Sequence, residues 1–296
     1  MIRTSGEVLQ PVCVARRRVW NVLVRSCLIT SLQYRRIAPK LTKMSLVQKL
    51  TAFKPIYALS HLFGITAVIL MGVWTGHYYG GFAWQSNPGK EFNWHPLLMT
   101  IGMVYLYGNG MLMYRINPGA QKMKLKLIHA AIMITIWVLV VIALKAVFDS
   151  HDLKPCSDDP SKLCPIPNMY SFHSWIGLIT AMLFTMQWTL GLVMFLFPGV
   201  ALKIKAMYMP FHVFFGIVIF ICAVASVLLG IKEKLLFTNG KLYNYSKFEP
   251  LGIVGNCICL FVVIFAIMVV YLVANPTFKR NAKPEESNST EMKTES

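Results

Sequence analysis

Seven histidines occur in the chain, and four of them share one setting: each lies within the first turn or two of a long apolar stretch. These four are His95, His129, His173 and His212. Ionisable side chains are rare inside a membrane, and those found there are candidates for a function. A neutral imidazole is a common ligand of metal ions and of haem iron. A lone histidine on an apolar face is more often a hydrogen-bonded packing residue, so the interpretation depends on the pattern that the four form together.

The apolar stretches predict six transmembrane helices. A helix needs about 20 mainly apolar residues to cross a bilayer, and six stretches qualify, at roughly 56–76, 94–114, 127–148, 169–197, 206–231 and 250–274. Only 14% of the residues are charged, compared with about 25% in soluble domains. Apart from Lys145 near one end of the third stretch, the Lys and Arg behind the net charge of +17 lie outside these stretches, which indicates membrane topology and not nucleic-acid binding. The predicted fold is all-α, an integral membrane bundle of six transmembrane helices.

Charges in the loops predict the orientation of this bundle. Two short loops carry cations and no acids, with Arg115, Lys122, Lys124 and Lys126 in one and Lys203 and Lys205 in the other. The positive-inside rule places both loops, and both termini, in the cytosol. The loop between helices 3 and 4 is richer in Asp and holds Cys156 and Cys164, which could pair in an oxidising compartment. The loop after helix 5 carries the glycosylation sequon Asn244-Tyr245-Ser246, although its four lysines weaken the charge argument.

This orientation sorts the four histidines into two pairs. Helices 2 and 4 begin on the outer side, so His95 and His173 lie at outer depth, whereas His129 and His212 lie at inner depth. Two axial ligands on opposite sides of a macrocycle hold a low-spin haem, so the pattern predicts two bis-histidine b haems stacked along the membrane normal. His61 has no partner by this logic and is interpreted as structural. The alternatives of another class are a non-catalytic haem sensor and an intramembrane zinc protein, although no Asp or Glu lies in the middle of any stretch.

The ends of the chain differ from the bundle in composition. We expect a transmembrane domain at 51–275 and a disordered cytosolic tail at 276–296, which is polar and mixed in charge. Residues 1–50 carry ten Lys and Arg against the single acid Glu7. Such a basic extension is typical of a mitochondrial transit peptide, of a disordered cytosolic tail, or of a segment upstream of true initiation at Met44.

The stretches around the histidines resemble the cytochrome b561 family. They read EFNWHPLLM at 91–99, IHA at 128–130, NMYSFHSW at 168–175 and MPFH at 209–212. The similarity extends over roughly 55–280 and includes FLFPG at 195–199 and KEKL at 232–235. The resemblance implies a transmembrane reductase that takes single electrons from cytosolic ascorbate and passes them across the bilayer. The implied acceptor is ferric ion, with the monodehydroascorbate radical inside a vesicle as the alternative, and homodimers are usual in the family.

A cytosolic ascorbate site follows from this resemblance. Ascorbate is a monoanion at neutral pH, and Arg115, Lys122 and Lys126 resemble the positions that bind it in the family. Lys122 and Lys126 lie i,i+4 on a helical face that continues towards His129. Lys205 stands where the family often has Arg, and a Lys lacks the bidentate fork of a guanidinium. The alternative is that all four are flanking charges of cytosolic loops.

An outer substrate site is also implied. His77, His151 and Asn168 resemble the residues that line the outer pocket in relatives, and Asp149 and Asp152 could collect ferric ion through oxygen ligands. The alternative is an ordinary solvated loop. The predicted sidedness fits the plasma membrane, the endolysosome and the secretory vesicle equally.

Overall fold

The computed structural model describes residues 51–239 and 245–280 of the 296-residue chain. The predictions for the basic extension at 1–50, for Asn244 of the sequon and for the tail beyond residue 280 therefore fall outside the described residues. Within the predicted tail, Pro276–Phe278 forms a turn of 3-10 helix. Phe278 is buried and its ring meets that of Phe53 edge-on at 5.4 Å. The ordered domain thus extends past the predicted boundary at residue 275.

Six helices in the described part of the chain are long and apolar enough to cross a membrane, which confirms the predicted fold class. No strand occurs in this part, apart from an isolated bridge between Pro155 and Leu163. The helices are α1 (Thr51–Tyr78), α2 (Pro88–Ile116), α3 (Lys122–Asp152), α4 (Phe172–Phe195), α5 (Leu202–Asn239) and α6 (Pro250–Ala274). Most begin several residues before the predicted apolar stretches, because polar and charged residues continue each helix beyond its apolar centre.

Helix α2 is irregular in a way that the apolar pattern does not predict. Its α-helical segments Pro88–Glu91, Trp94–Met99 and Tyr107–Ile116 are interrupted by a π-helical segment at Thr100–Leu106. A π-helical turn adds a residue to the local repeat and changes the direction in which the following side chains point. Helix α1 also ends in a π-helical turn, Trp74–Tyr78.

The buried core is formed largely by aromatic and β-branched side chains, and α1, α2, α3, α5 and α6 each contribute several buried residues to it. Tyr107 of α2 meets Phe184 and Phe220 edge-on, and Phe220 in turn meets Phe265 of α6. The indole of Trp74 donates to the carbonyl oxygen of Leu251 at 3.0 Å and so connects α1 with α6. Many large apolar side chains elsewhere are exposed, as expected where lipid is the surrounding solvent.

Candidate functional site

The four histidines form two facing pairs, as the sequence predicts. In the first pair, the ring centroids of His95 and His173 are 6.1 Å apart, with their planes at 86°. In the second pair, the centroids of His129 and His212 are 6.3 Å apart, with their planes at 74°. A metal ion lies about 2.0–2.1 Å from a ligating imidazole nitrogen. Since that nitrogen is about 1.1 Å from its ring centroid, two rings sharing an ion have centroids about 6.3 Å apart. Both pairs fit this spacing.

The second ring nitrogen of three of these histidines is held by a backbone carbonyl. Nδ1 of His95 lies 3.2 Å from the carbonyl oxygen of Ala143, and Nδ1 of His129 lies 2.9 Å from that of Gly110. Nδ1 of His173 lies 2.9 Å from the carbonyl oxygen of Ser226. A bond of this kind places the ring proton on Nδ1 and leaves Nε2 available to a metal. The geometry of these histidines therefore fits two side chains that would hold one haem iron between them, and a bound haem would supply one-electron redox chemistry there.

The same hydrogen bonds measure the distance between the two pairs. Ala143, which holds His95, lies 14 residues after His129 on α3. Ser226, which holds His173, lies 14 residues after His212 on α5. An α-helix rises 1.5 Å per residue, so both helices separate the pairs by about 21 Å. A bilayer core is about 30 Å thick, and the two pairs therefore lie near opposite ends of the bundle.

Glycines on the facing helix make room for two of the rings. A Cβ atom at Gly230 of α5 would lie 2.7 Å from the ring of His173, and one at Gly191 of α4 would lie 3.1 Å from the ring of His212. The relation is reciprocal: α4 carries His173 and the glycine that faces His212, and α5 carries His212 and the glycine that faces His173. A larger residue at either position would displace an imidazole.

Local hydrogen bonds set the start of the helices that carry the first pair. The amide of the buried Asn93 donates to the carbonyl oxygens of Tyr79 at 3.1 Å and Gly81 at 2.6 Å, which ties the start of α2 to the end of α1. Gly81 has φ +89°, a conformation that favours glycine. At α4, Ser171 and Ser174 form a reciprocal capping box two residues before and one residue after His173.

A cavity of about 570 Å³ opens beside the first pair, and both His95 and His173 line it. At its mouth, Nδ1 of His151 lies 2.8 Å from Oδ1 of Asn168, and the Asn168 amide donates to Asp152 at 2.9 Å. The ring of Phe92 stacks over that of His151. The structure thus brings two of the three predicted outer residues together, His151 and Asn168. The third, His77, packs edge-on against Tyr78 and is not among the residues that line the cavity.

Two ionisable residues of the cavity were missed by the sequence reasoning. The ammonium of Lys234 lies 4.0 Å from the ring centroid of Phe92 and 4.9 Å from that of Tyr79. The carboxylate of Glu233 accepts from Ser171 at 3.0 Å. Desolvation raises the pKa of Tyr170, another lining residue, and the nearby charge of Glu233 adds to this. Both residues belong to the KEKL stretch at 232–235, which resembles the family but whose sequence alone does not assign a role to its charged side chains.

Asp149, one of the two predicted oxygen ligands of ferric ion, already has partners within the protein. Asp149 pairs with Lys145 at 2.5 Å and accepts from the amide of Gln85 at 2.9 Å. Both contacts are to Oδ2, so one carboxylate oxygen is already engaged, unlike that expected of a solvated collector of ferric ion. Asp152 remains at the mouth of the cavity, hydrogen-bonded to Asn168.

At the second pair, the four predicted cations separate into two groups. Lys126 donates to the carbonyl oxygen of Phe195 at 2.7 Å, and Lys122 and Lys205 are near enough to act on it electrostatically. Arg115 instead donates to the carbonyl oxygens of Asn275, at 2.7 Å, and Val273. These contacts cap the end of α6, so Arg115 is committed to the fold by at least two of its five donors.

The predicted loop cysteines are joined. Cys156 and Cys164 form a disulfide with their Cα atoms 4.8 Å apart, next to the bridge between Pro155 and Leu163. Lys154 and Pro155, immediately before the bond, line the cavity beside the first pair. The disulfide therefore fixes one wall of that cavity.

Comparison with known proteins agrees with this architecture. A model of the eukaryotic cytochrome b561 family matches residues 94–238, which include all four paired histidines. The chain is 39% identical over 229 residues to the mouse transmembrane ascorbate-dependent reductase CYB561, covering 77% of this chain and 86% of the relative. It is 36% identical over 240 residues to a putative homologue of that reductase from Caenorhabditis elegans, covering 81% and 89%. It is 38% identical over 228 residues to the plasma membrane ascorbate-dependent reductase CYBRD1 of Xenopus tropicalis, covering 76% of each. The chain belongs to the cytochrome b561 family.

Proposed function

We propose that the protein is a transmembrane oxidoreductase that carries electrons from cytosolic ascorbate, through two b haems, to an acceptor on the other side. The observation that carries this proposal is the pair of facing histidines at each end of the bundle, about 21 Å apart by helix rise. Family membership implies haem b, and the names of the relatives give ascorbate as the electron donor.

The protein's own residues have three tasks in this function. His95 and His173 would hold one haem iron, and His129 and His212 the other, each through Nε2. The haems, when bound, supply one-electron redox chemistry. The carbonyls that hold Nδ1 fix the orientation of the rings, and Gly191 and Gly230 leave space for them.

We assign the ascorbate site to Lys122, Lys126 and Lys205. Lys122 and Lys205 are each near enough to act on Lys126 electrostatically, and Lys126 lies three residues before His129 on α3. The three ammonium groups carry three donors each. Lys126 uses one donor on Phe195 and keeps two for an anion. Arg115, the fourth predicted cation, is left out of this site because it donates to carbonyl oxygens at the end of α6.

Ferric ion is the proposed acceptor at the cavity beside the first pair. His151, Asn168 and Asp152 form a polar mouth there, and Asp152 offers a hard oxygen ligand. His77 is left out of this site. The cation Lys234 inside the cavity favours the second candidate, the monodehydroascorbate radical, which is an anion.

Vesicles containing the purified protein test the proposed function. With ascorbate trapped inside and membrane-impermeant ferric citrate outside, ferrous ion should appear outside only when both protein and trapped ascorbate are present. Protein with His212→Ala serves as the control, since it would lose one haem of the chain. Equal rates for wild-type and control vesicles would refute transmembrane transfer.

The proposed orientation has both termini in the cytosol, in the plasma membrane or an endolysosomal or secretory vesicle membrane, with a homodimer as the expected assembly. Two sequons provide an internal test, Asn244-Tyr245-Ser246 after α5 and Asn288-Ser289-Thr290 near the C-terminus. We expect Asn244→Gln to remove a glycosidase-sensitive mass and Asn288→Gln to change nothing, measured by gel mobility of the protein from a glycosylating cell. The reverse pattern would invert the topology.

A further inference from the structure

His212 is held differently from the other three paired histidines. The spacing of 14 residues that places Ala143 and Ser226 also separates His173 from Gln187 on α4. At this equivalent position the contact to the histidine comes from a side chain. The amide nitrogen of Gln187 lies 3.1 Å from Nδ1 of His212 and donates to the carbonyl oxygen of His212 at 2.6 Å.

We propose that Gln187 is a positioning residue that orients His212 and sets the reduction potential of the haem held by the second pair. This inference rests on the proposed function, since it assumes that His212 ligates iron. Gln187 touches the ring and the backbone of one residue at once, so it determines both the place of the imidazole and the hydrogen bond at Nδ1.

The chemistry of the amide makes this contact selective. With its nitrogen towards the ring, Gln187 presents a donor to Nδ1, which requires the ring proton on Nε2, the atom that would bind iron. With iron on Nε2 the proton would lie on Nδ1, and the amide would have to turn its Oε1 towards that N–H and give up its hydrogen bond to the His212 carbonyl oxygen. His95, His129 and His173 already face carbonyl acceptors that do not rotate. The side-chain amide is therefore the adjustable member of the set.

An acceptor at Nδ1 makes a ligating imidazole a stronger electron donor and so stabilises ferric iron. Removing the acceptor should raise the potential of that haem, and a charged acceptor should lower it. Gly191, on the same helix as Gln187, leaves the space that the His212 ring occupies, so there is still room for the ring when the amide is removed.

The test compares Gln187→Leu and Gln187→Glu with wild type and with Thr189→Val. Thr189 is exposed on the same helix and donates only to the carbonyl of Thr185, which makes it a matched control. Each purified protein is titrated spectroelectrochemically, its haem is counted, and the g values of its low-spin ferric haems are recorded by electron paramagnetic resonance. The haem that is absent from His129→Ala identifies the signals of the second pair.

We expect Gln187→Leu to favour reduction of that haem about tenfold, an upward shift of about 59 mV for a one-electron couple. Gln187→Glu should shift it downward, and the other haem and Thr189→Val should match wild type. Unchanged potentials and g values in Gln187→Leu, or a downward shift, would overturn the proposal. If Gln187→Leu loses the haem, Gln187→Glu decides: a retained haem with a lowered potential supports the proposal, and any other result refutes it. A wild-type protein with fewer than two haems would instead refute the proposed function.

Discussion

At the first pair the nearby ionisable side chains carry both signs, whereas the charged neighbours of Lys126 at the second pair are cations. Glu233, Lys234 and His151 line the cavity beside the first pair, while Lys122 and Lys205 surround Lys126. The histidines themselves are held at matching spacings along α3 and α5. The same ligand geometry thus occurs twice, and the surroundings differ. Under the proposed function, the bundle would hold the redox groups in place, and the charged side chains at each end would select what exchanges electrons with each group.

The largest effect should come from removing a paired histidine. His173→Ala should lose the haem of the first pair alone, and His212→Ala that of the second pair alone, because each iron would lose one of its two protein ligands. His61→Ala is the control, since His61 contacts Tyr105 and belongs to neither pair. The haem content per chain, measured as the pyridine haemochrome, should be one for His173→Ala, one for His212→Ala and two for His61→Ala. Loss of both haems from either paired variant in a folded protein would show that the pairs are not independent.

Lys126→Ala should weaken the binding of ascorbate beside the second pair without loss of haem. A hydrogen bond to a charged group contributes about 1.5–3 kcal/mol, so the ascorbate concentration for half-reduction should rise roughly tenfold to a hundredfold. Stopped-flow reduction of the haems measures this. Lys124→Ala, on the same turn of α3 but exposed, should behave as wild type. If Lys126→Ala and Lys124→Ala show the same dependence on ascorbate concentration, Lys126 does not bind ascorbate and is a flanking charge of a cytosolic loop.

Removing the disulfide should lower the stability of the protein at the end of the bundle that holds the first pair. A closed loop of this length stabilises a protein by about 2–3 kcal/mol through the entropy of the unfolded chain. Cys156→Ser with Cys164→Ser should therefore lower the unfolding temperature and leave reduction by ascorbate unchanged. Thermal unfolding followed by the haem absorbance tests this, with Cys222→Ser, an unpaired thiol in α5, as control. Free thiols at both positions in non-reducing peptide maps of wild type would contradict the bond itself.

Asn168→Ala should give the smallest change, confined to electron delivery. Its side chain holds both His151 and Asp152, and a net loss of about 1 kcal/mol corresponds to about fivefold. Ferric citrate reduction by pre-reduced protein should slow by about that factor, while reduction by ascorbate stays at the wild-type rate. His77→Ala should match wild type in both assays. A slower His77→Ala would return that residue to the outer site.

The sequence predicts the six helices and the histidine pairs because both depend on patterns that a bilayer imposes. Apolar stretches report the spans, and topology alone brings His95 towards His173 and His129 towards His212. For the disulfide the sequence showed only that Cys156 and Cys164 could pair, and the structure shows the bond.

Contacts between residues that lie far apart in the sequence could not be predicted from these patterns. The carbonyl oxygens that Arg115 binds lie about 160 residues along the chain, and no local pattern reveals which partner uses its donors. Lys234 was inside a noted motif, but its place over Phe92 depends on how α5 packs on α2. The π-helical segment of α2 and the contact of Gln187 with His212 likewise depend on packing between helices.

The haem content of the wild-type protein tests the central claim most directly. Protein purified in mild detergent should contain two haems per chain, both extractable by acid acetone and both low-spin in the ferric state, because each histidine pair would supply two protein ligands to one haem iron. A ratio of one haem per chain, or haem that stays attached after extraction, would contradict the account.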